Sequence, residues 1–327
     1  MKGQKMNKVL VTAAVLLGLS AAPSLAADLK MYTKAAPAVV VSPWDIAFGA
    51  SLANDYNFRG ISQSDRGPSV SAYFEPRYNI SPTLQLYAGI AGSSVKLATD
   101  PSMELDFYAG IRPTFGALAL DFGFIYYAYP GEREIDGTII VAPPAFNTTP
   151  VNTDFWEVYA KATYTFNDQF SVGANLFYSP DWLNTGADGT YLSGTGKYTG
   201  AALANGIGWY VSGELGYYWL GTTDVINTTT GNAVYFNALG TSIAANLPDY
   251  AYWNIGVGFT YKVFTLDLRY HDTNLSSAEC NILTGDPSAA AIAPTAVNNA
   301  VSTGASNWCG SAFIAKLSFD TTLAAFK

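Results

Sequence analysis

Cationic charge is scarce in this 327-residue chain: 17 Lys and Arg stand against 25 Asp and Glu, for a formal net charge of −8. That balance excludes a basic nucleic-acid surface and a basic helix lying on anionic lipid. Long apolar runs are lacking as well. The only sustained one, residues 9–19, is far shorter than the roughly 20 residues of a spanning helix. Any membrane contact after it must therefore be made by strands. Histidine occurs once, as His271, and cysteine twice, as Cys280 and Cys309. A metal centre on the two cysteines would need further ligands, so a disulfide is the expected pairing in an exported chain. Closing a loop of that length removes on the order of 3 kcal/mol of chain entropy from the unfolded state. No cofactor is implied.

The amino terminus supports export. Lys2, Lys5 and Lys8 precede the apolar run, and Ser24-Leu25-Ala26 offers a small-residue cleavage site. Residues 1–26 read as a secretory signal peptide. Residues 27–43, with Pro37 and Pro43 and no long alternation, read as a periplasmic lead-in to a domain over 44–327.

What the chain has in abundance is aromatic side chains, 14% against 13% charged. Residues 250–272 show how they are used. Trp253, Ile255, Val257, Phe259 and Tyr261 alternate with Asn254, Gly256, Gly258 and Thr260. After Lys262-Val263, Phe264, Leu266, Leu268 and Tyr270 alternate with Thr265, Asp267, Arg269 and His271. Period-two alternation marks strands. A large apolar face backed by Asp, Arg and His is the pattern of a transmembrane β-barrel, with lipid outside and water inside.

Twelve such segments follow in order: 44–58, 69–79, 83–94, 104–115, 117–129, 154–166, 169–179, 190–199, 208–220, 250–261, 264–272 and 311–320. Short and long connections alternate strictly between them, as in outer-membrane barrels. The reading is an all-β fold, a transmembrane antiparallel up-and-down barrel of about 12 strands. The interior of such a barrel is expected to be a narrow channel, between side-chain-filled eight-stranded barrels and wide porins.

Parity assigns the faces, because Arg or Lys on the lipid face costs roughly 2–4 kcal/mol near the midplane. The least costly choice turns Asp45, Asp55, Glu75, Arg77, Asp106, Arg112, Asp121, Glu157, Lys161, Lys197, Glu214, Asp267, Arg269, His271, Lys316 and Asp320 inward. Trp44 and Trp209 then fall at one rim and Trp156, Trp219 and Trp253 at the other, as two aromatic girdles. Inward charges either pair across strands to keep the interior polar or form a selectivity constriction. The candidate pore residues are Glu75, Arg77, Arg112, Glu157, Lys161, Asp267 and Arg269, with Arg59 and Arg66 in the first outer loop placed to meet solute at the mouth.

Catalytic motifs are weak. Gly194-Thr195-Gly196-Lys197 has Tyr191 and Tyr198 where a phosphate loop needs Gly and Ser or Thr. His271, Asp272 and Ser276 lack any Gly-x-Ser-x-Gly elbow. No enzyme is expected, with an outer-membrane hydrolase resting on His271 as the lesser alternative.

Four stretches resemble the TorF family of porins: residues 55–64 (Asp55-Tyr56-Asn57-Phe58-Arg59-Gly60-Ile61-Ser62-Gln63-Ser64), 208–216, 264–270 and 306–310. The resemblance runs over nearly the whole chain from Trp44. It implies a Gram-negative outer-membrane barrel, inserted by the barrel-assembly machinery and surrounded by outer-membrane lipid and lipopolysaccharide. Such a barrel would pass small hydrophilic solutes or ions as a monomer or weak oligomer. A plugged structural or adhesive barrel, using the long outer loops, is the alternative.

Overall fold

The structure is a computed structural model that describes residues 43–133, 152–226, 235–236 and 241–326. The expected signal peptide and lead-in lie, but for Pro43, outside the described residues. Twelve strands close into one antiparallel barrel: β1 (Trp44–Ala53), β2 (Ser69–Ser81), β3 (Leu84–Ser93), β4 (Glu104–Phe115), β5 (Leu118–Ala128), β6 (Phe155–Thr165), β7 (Phe170–Ser179), β8 (Gly189–Thr199), β9 (Gly208–Leu220), β10 (Tyr250–Tyr261), β11 (Phe264–Thr273) and β12 (Ala312–Thr322). Each pairs with the next in sequence, and β12 returns to β1 with Leu317 opposite Leu52. Closure leaves no strand edge with unpaired backbone, the condition for crossing a hydrocarbon layer with strands. At 10 to 13 residues, the strands match or slightly exceed the span of a bilayer crossing.

The outer wall is apolar. Phe74, Ile90, Phe107, Phe122, Phe124, Val158, Leu176, Leu215, Ile255, Leu266, Phe313 and Leu317 are all exposed, which water would penalise and lipid does not. Aromatic side chains gather at both rims, with Trp44, Phe115, Tyr164, Phe166, Phe170, Tyr261 and Phe264 at the short-turn end and Trp156, Trp219 and Trp253 at the long-loop end. Among the described residues no helix is long and apolar enough to cross a membrane.

Turn chemistry sets the register at the short-turn end. Gly116 takes φ +62 and Lys262 φ 55, as tight hairpins of right-twisted strands require. Asn167 Oδ1 accepts from the backbone of both Gln169 and Phe170 at 2.9 Å, an Asx turn between β6 and β7.

The first strand is shorter than its alternation suggests. It ends at Ala53 rather than residue 58, because the chain turns at 54–56 and sends a two-rung hairpin, Asn57–Phe58 against Ile61–Ser62, into the barrel. The last outer loop (274–311) likewise holds structure invisible to period-two reading: helix α1 (Ser277–Thr284) and a hairpin of Ala290–Val297 with Ala300–Ala305. Ser276 and Glu279 form a capping box at the start of α1, satisfying two otherwise orphaned backbone N–H groups. Cys280 and Cys309 are joined, tying α1 to the end of this loop.

Leu215 projects from the middle of β9 and is 66% exposed. Leu215→Arg is expected to destabilise the folded barrel by about 2–4 kcal/mol, measured as a lower urea midpoint on refolding into vesicles. Arg at the inward, half-buried Thr195 should cost far less.

Candidate functional site

The interior divides into two layers. At the long-loop end, which faces outward in outer-membrane barrels, the inward side chains Tyr127, Glu157, Tyr191, Tyr218, Tyr250 and Tyr252 are almost completely buried. What covers them is the first outer loop, L1 (54–68). β7 lies six strands from β1 in either direction around the ring, so a side chain from L1 that touches β7 has crossed the lumen.

Arg59 does so. Its Nη1 and Nη2 donate to Oε1 and Oε2 of Glu157 on β6 at 2.7 and 2.8 Å, the bidentate geometry for which a guanidinium is shaped. Tyr127 adds a hydroxyl to Glu157 Oε2 at 3.1 Å. Four rings surround the guanidinium carbon: Phe58 at 4.6 Å, Phe177 at 4.7 Å, Tyr191 at 4.5 Å and Tyr218 at 4.8 Å. Arg59 and Glu157 are both 0% exposed. The turn that delivers Arg59 is left-handed, with φ 47 at Arg59 and φ 90 at Gly60, and Asn57 Oδ1 closes it by accepting from Gly60 N at 2.8 Å. A Cβ at Gly60 would strike Thr273 and Tyr252.

The shoulders of L1 are fastened too. Asp55 accepts from Ser62 Oγ at 2.6 Å, Ser64 Oγ at 3.0 Å and Arg66 Nη1 at 3.4 Å. Burial pushes the Asp55 carboxyl up, while Ser62 and Arg66 pull it back. Arg66 Nη2 donates to the carbonyls of Asn307 and Gly310, each at 2.6 Å. Trp308 Nε1 donates to Asp65 Oδ1 at 2.9 Å, and Lys96 pairs with the other Asp65 oxygen. Arg59 and Arg66, expected to face solute at the mouth, are instead committed to protein partners. The physical reason is that L1 folds inward, so its charges must be satisfied within the barrel.

The inner half differs. Along one wall Glu75 accepts from Arg77 Nε at 2.6 Å and Arg112 Nη1 at 2.8 Å, and Arg112 Nε reaches Asp121 at 3.2 Å. On the facing wall Arg269 donates to both oxygens of Asp267 at 2.9 Å, to Asn254 Oδ1 at 2.6 Å and to Ser212 Oγ at 2.8 Å. Lys161 lies opposite Asp121 across the β5–β6 pair, with no ion pair to either network among the described residues. Its ammonium lies 4.5 Å from the Tyr159 ring and 5.2 Å from Phe177, on a half-buried side chain. Lys316 is exposed, and Thr163, Thr195 and Asp320 are half-buried, so water reaches part of this layer, while Glu75, Arg77, Arg112, Asp267 and Arg269 are themselves buried.

The structure thus gathers Glu75, Arg77 and Arg112 into one cluster, Asp267 and Arg269 into another, and Arg59 with Glu157 into a third. His271 Nδ1 pairs with Tyr252 Oη at 2.9 Å, while Ser276 caps α1, so these two do not meet. Sequence reasoning missed Tyr56, Glu104, Trp308 and the inward tyrosines. Tyr127, Tyr191 and Tyr218 share the parity of the inward charges, a signal that was available.

The fold and its two faces define the class: a transmembrane β-barrel of outer-membrane type. Residues 37–139 match the model of a bacterial family described as of unknown function. No curated protein matches the chain. Among solved structures it is similar to an outer membrane channel from Pseudomonas putida F1, at 13% identity and TM-score 0.42 over 87% of this chain and 97% of that one. It is also similar to OmpT of Vibrio cholerae, at 11% identity and TM-score 0.36 over 85% and 96%, and to the NanC porin, at 9% identity and TM-score 0.39 over 84% and 98%.

Glu157→Gln would leave the Arg59 guanidinium buried without a counter-charge, at an expected cost of about 3–5 kcal/mol. The check is amide exchange and proteolysis in L1, which should accelerate while the strands stay protected. Acid should loosen the L1 contact with Lys96 differently. The hydrogen bond from Lys96 holds the Asp65 carboxyl below its ordinary 3.8. A lowered folded value means that the contact contributes fully above the ordinary carboxylate value and is lost as pH falls through the lower one. The Lys96 backbone N–H, which donates to Gln63 O, should therefore keep its NMR shift from neutral pH down to about pH 4 and move only below it.

Proposed function

We propose that the protein is an outer-membrane porin-like channel for small hydrophilic solutes or ions, resting with its outer mouth closed by L1. The observation that carries this reading is the division of the lumen. Its inner half presents the half-buried Lys161 and the exposed Lys316 on walls of paired charge. Its outer end is shut by L1, whose tip is held by the Arg59–Glu157 ion pair and whose back is fastened to the last outer loop. Displacing L1 together with those contacts would join the inner half to the outside without breaking a barrel strand. The resemblance to the TorF family supports the same reading.

Selection would rest on charge not already neutralised. Arg77, Arg112 and Arg269 are ion-paired, so Lys161 is the stronger determinant, favouring anions. Lipid and lipopolysaccharide would meet the aromatic girdles, with insertion by the barrel-assembly machinery and a monomer or weak oligomer as the working state. A second reading, a plugged structural or adhesive surface barrel, draws on the folded cap of the last outer loop, with its helix, hairpin and disulfide.

The test is single-channel recording in a planar bilayer under a salt gradient. Wild type should open rarely, and Glu157→Gln should raise open probability by more than about tenfold, the factor given by ~1.4 kcal/mol. Lys161→Glu should move the reversal potential toward cation preference. Silence from both wild type and Glu157→Gln, with intact barrels, would favour the plugged surface protein.

A further inference from the structure

Beneath L1, on the lumen face of β4, two carboxylates sit two residues apart. Glu104 and Asp106 are 2% and 0% exposed, and at 3.3–3.4 Å per residue their Cα atoms lie about 7 Å apart. Glu104 accepts hydroxyls from Tyr56 of L1 at 2.6 Å and from Tyr129 at 2.9 Å. Asp106 has no such relief. Both of its oxygens are buried, and among the described residues neither has a hydrogen-bond partner. Its cross-strand neighbours are Ala91 and Tyr127, so one side is lined by a methyl group and the other by a ring. Among the described residues no Arg, Lys or His forms an ion pair with either carboxylate. Every other inward carboxylate of this outer layer has a donor: Glu157 has Arg59 and Tyr127, and Glu214 has Tyr191 and Asn254.

An unpaired carboxylate in such a place costs several kcal/mol, and a second one beside it adds repulsion. Both can be retained only if a bound cation or a shared proton balances them. We infer that Asp106 and Glu104 form a buried binding site for one divalent hard cation, Ca²⁺, roofed by L1 through Tyr56. The available donors are all oxygens: two from Asp106, those of Glu104, and the phenol oxygens of Tyr56 and Tyr129. Oxygen donors without nitrogen or sulfur select Ca²⁺ or Mg²⁺ over transition metals. Mg²⁺ keeps several waters and demands a regular octahedron, whereas Ca²⁺ accepts irregular protein cages, and these two side chains have almost no access to solvent. Because Tyr56 belongs to L1 and Asp106 to the wall, bound Ca²⁺ would add a second fastening to the loop, whether or not the barrel conducts.

The experiment uses the purified full-length barrel in detergent with Ca²⁺ alone as the probe, after exhaustive chelation. Equilibrium dialysis with radioactive calcium should find one saturable site per folded wild-type chain, and Ca²⁺ should protect L1 against proteolysis. Asp106→Asn should lower that affinity by about a hundredfold and Glu104→Gln by about tenfold, as loss of a primary and a partly occupied ligand would. Asp100→Asn, at the exposed Asp100 that pairs with Arg133, should leave it unchanged. The inference is overturned if wild type shows no saturable site at millimolar Ca²⁺, or if Asp106→Asn binds as wild type does. It is equally overturned if wild type is silent toward Ca²⁺ and Asp106→Asn is the more stable barrel, since a shared proton would then balance the pair. The wild-type dialysis decides the matter even if a variant fails to fold.

Discussion

The Arg59–Glu157 pair is the contact on which the outer half of the molecule depends. It spans the lumen, so it converts an open ring of twelve strands into a vessel closed at one end. Its net energy is a balance. Desolvating two ions costs several kcal/mol each, and the mutual attraction of a buried pair often only recovers that loss. The backbone adds a further debit, since φ 47 at Arg59 belongs to a region that costs of order 1–3 kcal/mol for a residue with a side chain. What tips the balance is the surroundings: each desolvated ring face near a guanidinium contributes up to about 2 kcal/mol, and four are present. The Tyr127 hydroxyl fills a remaining acceptor site on Glu157. The latch is therefore worth as much as its aromatic cage.

Everything above that latch is arranged to hold L1 from behind. Asp65 takes the Trp308 indole and the Lys96 ammonium, Arg66 takes two carbonyls of the last outer loop, and the Cys280–Cys309 bond anchors that loop to α1. Trp308 is itself almost wholly buried. The cap is thus a small folded body seated on L1 rather than a fringe of solvated loops. The inner half is packed differently: its charges pair along the walls beside the buried Tyr73, Tyr87, Tyr108 and Tyr159, while Lys316 stays exposed and Lys161 half-buried.

The lumen wall is also polar in a particular way. Inward tyrosines lie across glycines of the neighbouring strand, Tyr87 over Gly110 and Tyr191 over Gly216, so closely that a Cβ on either glycine would touch the ring. The glycines allow long side chains to lie against the wall instead of filling the centre. Their hydroxyls then serve the carboxylates, as Tyr191 serves Glu214 and Tyr210 serves Asp267. A barrel of this girth can in this way carry many charges without collapsing onto them.

Much of this was legible in the chain itself. Alternation with period two determined the strands, the count of twelve and the inward or outward sense of each side chain, because a one-residue slip would put Arg112, Lys161 or Arg269 into lipid. Loop lengths determined which end bears the cap. What the sequence could not determine was the path of L1. Residues 54–58 continue the alternation of β1, so locally they read as strand; only the distant Glu157, 98 positions away, and the rings of β7, β8 and β9 make the inward turn favourable. The same holds for Asp106, whose parity is plain but whose isolation depends on which cations the other loops and strands have already taken. Periodicity is a local property and survives in the sequence. Pairing across a lumen is a property of the closed ring, and it exists only once β12 has met β1.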